Sequence, residues 1–497
     1  MSPNITLSWV LALAPEIGLL VILFMVLVFD KIFKPDNPRL VGQFTAWGAL
    51  AVLLLTVGLY WLFGQPNAEW GLAESTFWGG MMRNDLVTFV FRIMFFSALT
   101  LTALMSMDVP RLQKIEYYAL LITATIGFSL MAASTDLIMI YVALETASIS
   151  SYLLAGFYSG ETRSAEAGMK YFVYGAFTTA VMLYGMSLLY GVTGQTNLYL
   201  IGNLFSSQQI DVVQPLLLLA AVLITVGFAF KTSIVPYHFW TPDVYEGAPT
   251  PFTGLLSTAS KAAGFAVFLR VFLAGVLGPA QPSSEWWAML VAMCIITMTL
   301  GNFVAIFQTN IKRLLAYSSI AQAGYTLIGL VTLTQDGSGA SMFYLLMYIF
   351  TNIAAFGVIV LVSNVTHSDD LKDLYGLNRR SPFLALVMLL AVLSLSGIPP
   401  TAGFFGKFFL FKAAVDSGMW WLALIGILNA FVGLYYYLTI VKYMYLYRSE
   451  EDDVAIPVSR AALIGLVVSS AFIVYLGISA GPAFELTRQA AAAFFSG

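Results

Sequence analysis

Only one cysteine and two histidines occur in 497 residues, and only 10% of the chain is charged. Each scarcity removes a class of function. An iron–sulfur cluster takes about four thiolates, so Cys294 cannot hold one alone. A disulfide within the chain is excluded for the same reason. His238 and His367 are too few for a protein-held haem or zinc site. No glycine-rich dinucleotide or phosphate loop is found, and no nucleic-acid partner is expected. The chain is therefore expected to carry no cofactor and no metal, and electron chemistry would belong to partner chains.

What the sequence has in abundance is apolar length. Hydrophobic residues make up 59% of it, and the mean hydropathy is +0.85. A water-soluble fold of this size needs far more surface charge, so the sequence predicts an all-α polytopic membrane protein. A hydrocarbon core about 30 Å thick asks for roughly 20 apolar residues per helix. Unbroken apolar runs, rather than alternation, exclude barrel strands. Scanning predicts fourteen spans, at 8–30, 39–63, 85–107, 115–133, 136–157, 166–192, 213–240, 251–277, 286–306, 311–333, 340–364, 382–412, 418–446 and 461–483. The start, "MSPNITLSWVLALAPEIGLL", has no basic stretch before its apolar run and reads as a retained helix.

Lysine and arginine set the orientation. With the first residue outside, the inner loops hold Lys31, Lys34, Arg39, Arg111, Lys114, Arg163, Lys170, Lys312, Arg313, Lys372, Arg379, Arg380, Arg448 and Arg460. The outer loops hold only Arg83, Lys412 and Arg488, fourteen against three, which puts both termini in the periplasm. Spans 7 and 12 are interrupted, at "SIVPYHFWTP" and "SLSGIPPTAGFFGKFFLFK". Proline inside a helix removes a hydrogen bond, and freed backbone is tolerated at membrane depth only where protein or water satisfies it. The breaks lie five spans apart, an odd offset that reverses orientation, so spans 4–8 and 9–13 read as two inverted five-helix repeats. The corresponding units are 1–110, a three-helix segment; 111–280 and 281–447, the repeats; and 448–497, a last helix. Two ordinary kinked helices are the plainer alternative.

Six basic residues fall outside the loops: Arg92, Lys231, Lys261, Arg270, Lys407 and Lys442. Lys442 and Arg270 lie toward span ends, where long side chains reach the headgroups, and structural anchoring is expected of both. Arg92 and Glu16 are ambiguous between structure and function. Lys231, Lys261 and Lys407 are too deep to reach an interface, and each such charge costs about 2.5–3.5 kcal/mol on insertion scales. Glu145 supplies a carboxylate at similar depth. Burial weakens an ammonium's hold on its proton, and a carboxylate about 4 Å away strengthens it by about 4 kcal/mol at an effective dielectric of about 20. A lysine with a movable acidic neighbour is therefore a proton switch. Glu145, Lys231, Lys261 and Lys407 are the candidate proton carriers, with His238 on the broken helix as a further relay. The plainer reading is a static Glu145–Lys231 pair. Asp243 and Glu246 are expected to cap a helix or face solvent, and His367 to have no special role.

The stretches "FKTSIVPYHFWTPDVYEGAPTPFTGLLSTASKAAGFAVFLR", "ALETASISSYLLAGF", "EAGMKYFVYGAFTTAVMLYGMSLLYG" and "SGIPPTAGFFGKFFLFKAA" resemble the antiporter-like membrane subunits of respiratory complex I, an NADH–quinone oxidoreductase. The resemblance covers essentially the whole chain. Two branches of that family fit less well. The M-type carries glutamate where this chain has Lys407, and the L-type has histidine in span 8 and a long lateral helix. The resemblance implies that Glu145 and Lys231 are the helix 5 and helix 7 pair, Lys261 the connecting lysine and Lys407 the terminal one. It implies protons passing from the cytoplasm to the periplasm across a bacterial inner membrane. FMN, iron–sulfur clusters and quinone would sit in partner subunits, with an M-type neighbour on one side and small J-, K- and A-type subunits on the other. A subunit of an Mrp-type cation/proton antiporter, or a passive scaffold, remains an open alternative at this point.

Overall fold

The computed structural model describes residues 7–33, 39–63, 75–207, 215–276, 285–448 and 454–495. The first six residues and Lys34, which enter the expectations above, lie outside the described residues. Inside a bilayer every backbone N–H and C=O needs a partner within its own segment, so the apolar runs wind into helices. Helices α1 (Leu7–Ala12) and α2 (Ala14–Phe33) make the first span and α3 (Arg39–Phe63) the second. A short antiparallel hairpin of β1 (Ser75–Phe77) and β2 (Met82–Asn84) leads into α4 (Leu86–Ser106). Then come α5 (Ile115–Ala133), α6 (Leu137–Ala155), α7 (Thr162–Thr193) and the short α8 (Leu198–Ser206).

Helix α9 (Pro215–Thr232) stops at the first break, and the chain resumes as α10 (Trp240–Gly247). The next span is one continuous rod: α11 (Thr250–Leu255), a π-wound turn at Leu256–Ser260, α12 (Lys261–Leu269) and a second π-wound stretch, Arg270–Val276. The second half runs through α13 (Glu285–Ala305), α14 (Ile311–Val331) and α15 (Gln335–Thr366) to the short α16 (Leu377–Arg380). Helix α17 (Pro382–Ser396) ends at the second break, followed by α18 (Ala402–Asp416), α19 (Trp420–Leu446), α20 (Arg460–Ile478) and α21 (Ala480–Ala491).

Among the described residues, twelve helices are long and apolar enough to cross a membrane, and α2 and α17 are shorter apolar helices. The fourteen expected spans are met by those twelve, by α2, and by α17 and α18 sharing one crossing. Both breaks fall where expected, with cis peptides at Val235–Pro236 and Pro399–Pro400. Span 14 is shorter than expected, ending at Ile478 before a separate last helix.

Ion pairs show which loops share an end of the bundle. Arg111–Glu161, Arg163–Glu246, Arg313–Asp243 and Lys312–Asp369 tie together the loops before α5, α7, α11, α14 and α16. At the other end Arg270 reaches Asp85 and Arg488 reaches Asp336. Helices α13 and α14 pack through glycine, as closely approaching membrane helices do. A Cβ added at Gly301 would lie 2.5 Å from the Ala321 nitrogen, and one at Gly324 would lie 2.7 Å from the Met298 nitrogen.

One expectation about charge is corrected here, and an open pair of residues is placed. Arg270 is not a snorkelling anchor: its side chain is wholly buried, because α8 and the C-terminal turn cover that end of the rod. Its two terminal nitrogens donate to the Asp85 carboxylate at 2.8 and 3.1 Å, and to Tyr199 Oη and the Ala132 carbonyl at 3.0 Å each. Arg92 and Glu16 form a second buried pair. Arg92 Nε and Nη2 each donate to Glu16 at 2.9 Å, and Ser129 bonds the same carboxylate, joining α2, α4 and α5. Both pairs satisfy their charges locally and hold helices together. Lys442 is exposed over the Tyr447 ring at 5.4 Å, as a span-end lysine would be.

Candidate functional site

Lys231 is the next-to-last residue of α9, 2% exposed, where the break frees the chain. Its stem lies against α12: a Cβ added at Gly264 would be 3.2 Å from Lys231 Cγ. Its ammonium donates to Ser148 Oγ at 3.3 Å and stands 5.7 Å from the Phe128 ring centre. Glu145 lies three residues earlier on α6, about 5–6 Å from Ser148 between β-carbons, half-buried and with a buried Oε1 that has no hydrogen-bond partner. No ion pair joins Glu145 to Lys231. The static pair of the plainer reading is therefore absent, and Lys231 rests on a neutral hydroxyl one turn from the carboxylate. His238 is buried in the break, its Nδ1 without a partner, and no hydrogen bond joins it to a lysine.

Lys261 opens α12 directly after the π-wound turn, a distortion that recurs at functional sites. It is 2% exposed, and its ammonium donates to the Ser319 hydroxyl at 2.7 Å and the Ser319 carbonyl at 2.9 Å. Tyr245 of α10 shares a hydrogen with the same Ser319 hydroxyl at 3.3 Å. Lys407 uses the second break. The last carbonyls of a helix have no partner within it and carry its negative dipole end. Lys407 Nζ donates to two of them at the end of α17, Leu395 O at 3.0 Å and Ser396 O at 2.9 Å, and lies 4.9 Å from the Tyr325 ring centre. Gly397 makes room: it is left-handed at φ 85°, and a Cβ there would lie 3.0 Å from Lys407 Cδ.

A buried polar chain runs through the second half, from α14 to the Lys407 site. Ser318, the neighbour of Ser319 on α14, bonds the Tyr437 hydroxyl of α19. Gln322, one turn further along α14, donates from Nε2 to Tyr437 Oη at 2.9 Å and to Leu395 O at 3.1 Å, the carbonyl that Lys407 also holds. Tyr344 of α15 donates to Gln322 Oε1. The sequence drew no attention to Ser148, Ser319, Gln322 or Tyr437. An amide inside an apolar run was the one available signal, at Gln322.

The four expected carriers are thus buried or half-buried, but among the described residues no hydrogen bond joins the Lys231–Ser148 contact to Ser319 or to the Gln322 chain, and none joins His238 to any of them. Asp243 and Glu246 are a further correction: neither caps a helix nor simply faces solvent. Lys170 reaches Asp243 at 2.5 Å, Arg313 reaches Asp243 at 2.8 Å and Glu246 at 2.9 Å, and Arg163 reaches Glu246 at 3.5 Å. This clasp pins α10, whose Tyr245 touches the Lys261 site, to α7 and α14. Burial raises the Asp243 carboxyl, but the Lys170 and Arg313 hydrogen bonds prevail and hold it below the usual carboxylate range. His367 is the left-handed cap of α15, its N–H donating to Ser363 O at 2.9 Å, a structural role as expected. Among the described residues no group of three or more His, Cys, Asp or Glu is placed to hold a metal ion.

Comparison with known proteins gives this site a setting. Residues 134–433 match the family described as "NADH:quinone oxidoreductase/Mrp antiporter, TM". The NADH-quinone oxidoreductase subunit N of Moorella thermoacetica is 45% identical over 439 residues, covering 87% of this chain and 91% of its own. A chain of respiratory complex I from Thermus thermophilus with bound aureothin superposes with a TM-score of 0.77 at 31% identity, over 95% of this chain and 99% of that one. A chain of the Mrp complex from Dietzia sp. DQ12-45-1b shares the fold, with a TM-score of 0.80 at 21% identity over 99% of this chain and 98% of its own.

Proposed function

The chain belongs to the NADH:quinone oxidoreductase/Mrp antiporter family as a proton-translocating N-type subunit of complex I, and we propose that its protons pass along Lys231, Lys261 and Lys407 under control of Glu145. The observation that supports this most is the resting place of Lys231. An ammonium on a neutral hydroxyl, with an unpartnered carboxylate oxygen one turn away on the same helix, has two partners of unequal strength. Moving onto Glu145 holds the proton, and returning to Ser148 loosens it for transfer. Lys261 and Lys407 each rest on neutral acceptors, so a proton on either is held without an ion pair.

In this reading the proton is taken up at the clasped end of the bundle, which is cytoplasmic by its basic loops, and leaves beyond Lys407 to the periplasm of a bacterial inner membrane. The repeats at 111–280 and 281–447 are the two halves of the path. His238, buried in the first break, is a further relay in this reading. Flavin, iron–sulfur and quinone chemistry lie in partner subunits, with an M-type neighbour and the small J-, K- and A-type subunits alongside. Lys231→Ala and Glu145→Ala are expected to leave the complex assembled while lowering the protons moved per NADH in inverted membrane vesicles. Full stoichiometry in both variants would overturn the relay.

A further inference from the structure

Lys261 follows the π-wound turn Leu256–Ser260, and a bond from another helix sits on that turn. Asn352 of α15, itself buried, donates to the Ser257 hydroxyl oxygen. The direction is forced. Ser257 gives its one hydrogen to the Gly254 carbonyl at 2.9 Å, so the Asn352 atom facing it is the amide nitrogen. Thr258 donates to the same carbonyl at 2.7 Å, and α15 presses close there, since a Cβ added at Gly254 would lie 3.4 Å from Phe356 Cβ. A π-wound turn closes its hydrogen bonds over one more residue than an α turn. Rewound as α, Leu256–Ser260 would rotate all that follows by one residue's step, about 100°, and shift it by about 1.5 Å. Lys261 would leave Ser319, and Gly264 would leave the Lys231 stem it makes room for. Beyond α12 a second π-wound stretch begins at Arg270, which the Asp85 carboxylate fixes. The nine residues of α12 therefore lie between two π-wound stretches, and a change of winding in one can be taken up by the other.

We propose that Asn352 is a positioning residue of the proton path: through Ser257 it latches the π-wound turn, and so sets the rotation of α12 that aims Lys261 at Ser319. The inference rests on the reading of Lys261 as a proton carrier and adds what points it. The latch comes from one half of the chain and grips the other, for Ser257 lies in the repeat at 111–280 and Asn352 in that at 281–447. Its neighbour Thr351 shares a hydrogen with the Ser394 hydroxyl at 3.0 Å, which also takes the Gly403 N–H at 3.1 Å across the second break. Two adjacent residues of one buried helix thus hold the two irregular places that precede Lys261 and Lys407.

Asn352→Leu nearly keeps the shape and removes the donor. Ser257→Ala removes the acceptor at the loss of one oxygen, with Thr258 still serving the Gly254 carbonyl. Each is made in the whole complex, imaged by electron cryo-microscopy and assayed for NADH-driven proton uptake in inverted vesicles. Both variants are expected to assemble, to show 256–260 wound as α-helix with Lys261 turned off Ser319, and to lower pumping several-fold. The double variant is expected to be no worse than either single one, because both break one latch. A π-wound turn with Lys261 still on Ser319 in either assembled variant would overturn the proposal, and so would losses that multiply in the double variant. If Asn352→Leu does not assemble, Ser257→Ala decides alone. A rewound turn beside wild-type pumping would refute instead Lys261 as the carrier beneath the inference, which keeps the two failures distinct.

Discussion

Ser148→Ala tests the two-partner account of Lys231 most directly. A hydrogen bond to a charged group contributes about 1.5–3 kcal/mol, and at 3.3 Å this one is longer than the strong charge-assisted range, which puts it near the low end. Losing about 1.5 kcal/mol from one of two competing positions moves the balance toward Glu145 by roughly tenfold. The two positions neighbour each other, because Glu145 and Ser148 are three residues apart on one helix face. If release from Glu145 limits the cycle, NADH–quinone turnover falls by up to about tenfold with assembly intact. Ser148→Thr keeps the hydroxyl and is expected to retain most of the rate. The assay is NADH oxidation together with proton uptake in inverted vesicles, with assembly followed by native electrophoresis. The Glu145→Ala, Ser148→Ala double variant is expected to be no worse than Glu145→Ala alone, since the competition then has no second partner. A Ser148→Ala complex turning over like the wild type, beside an impaired Glu145→Ala, would refute the account.

Gly397→Ala is expected to cost about 1–2 kcal/mol in backbone strain and to displace Lys407, lowering pumping, whereas Gly418→Ala, also left-handed but in open space, pays only the strain and is expected to leave pumping unchanged. Arg270→Met removes the closer of the two arginines at the buried Asp85 carboxylate, leaving only Arg83 at 3.8 Å, costs up to about 3–5 kcal/mol, and is expected to deplete the assembled complex on native gels. Asp243→Asn loosens the clasp. The wild-type carboxyl titrates below its unfolded value, so the clasp's contribution is present above about pH 4 and is lost as pH falls through the folded value. Thermal unfolding of the purified complex is therefore expected at lower temperature in Asp243→Asn at pH 7, with the gap closing below about pH 4; a constant gap at all pH would refute it.

Isolated charges in apolar runs are legible because water-avoiding neighbours make them costly, and this is why Glu145, Lys231, Lys261 and Lys407 stood out. Both breaks were equally legible from proline. Hydroxyls and amides are cheap in membrane helices, so nothing in the sequence separated Ser148 or Ser319 from serines bonded back to their own helix, such as Ser151 on Ala147 O. What distinguishes them is which helix each one faces. Arg270 was misjudged because distance from a span end was taken as distance from water, and α8 and the C-terminal turn cover that end. Asp243 and Glu246 were misjudged because their partners come from α7 and α14, some 70 positions away in sequence.

Helix α14 carries Ser319 under Lys261, Gln322 beside Lys407 and Arg313 in the clasp, and its glycine seam with α13 leaves it no room to deform alone. Such a member behaves as a crankshaft. Any tilt or turn imposed at its clasped tip shifts the Ser319 acceptors of Lys261 and the Gln322 bond to the carbonyl that Lys407 holds in the same stroke.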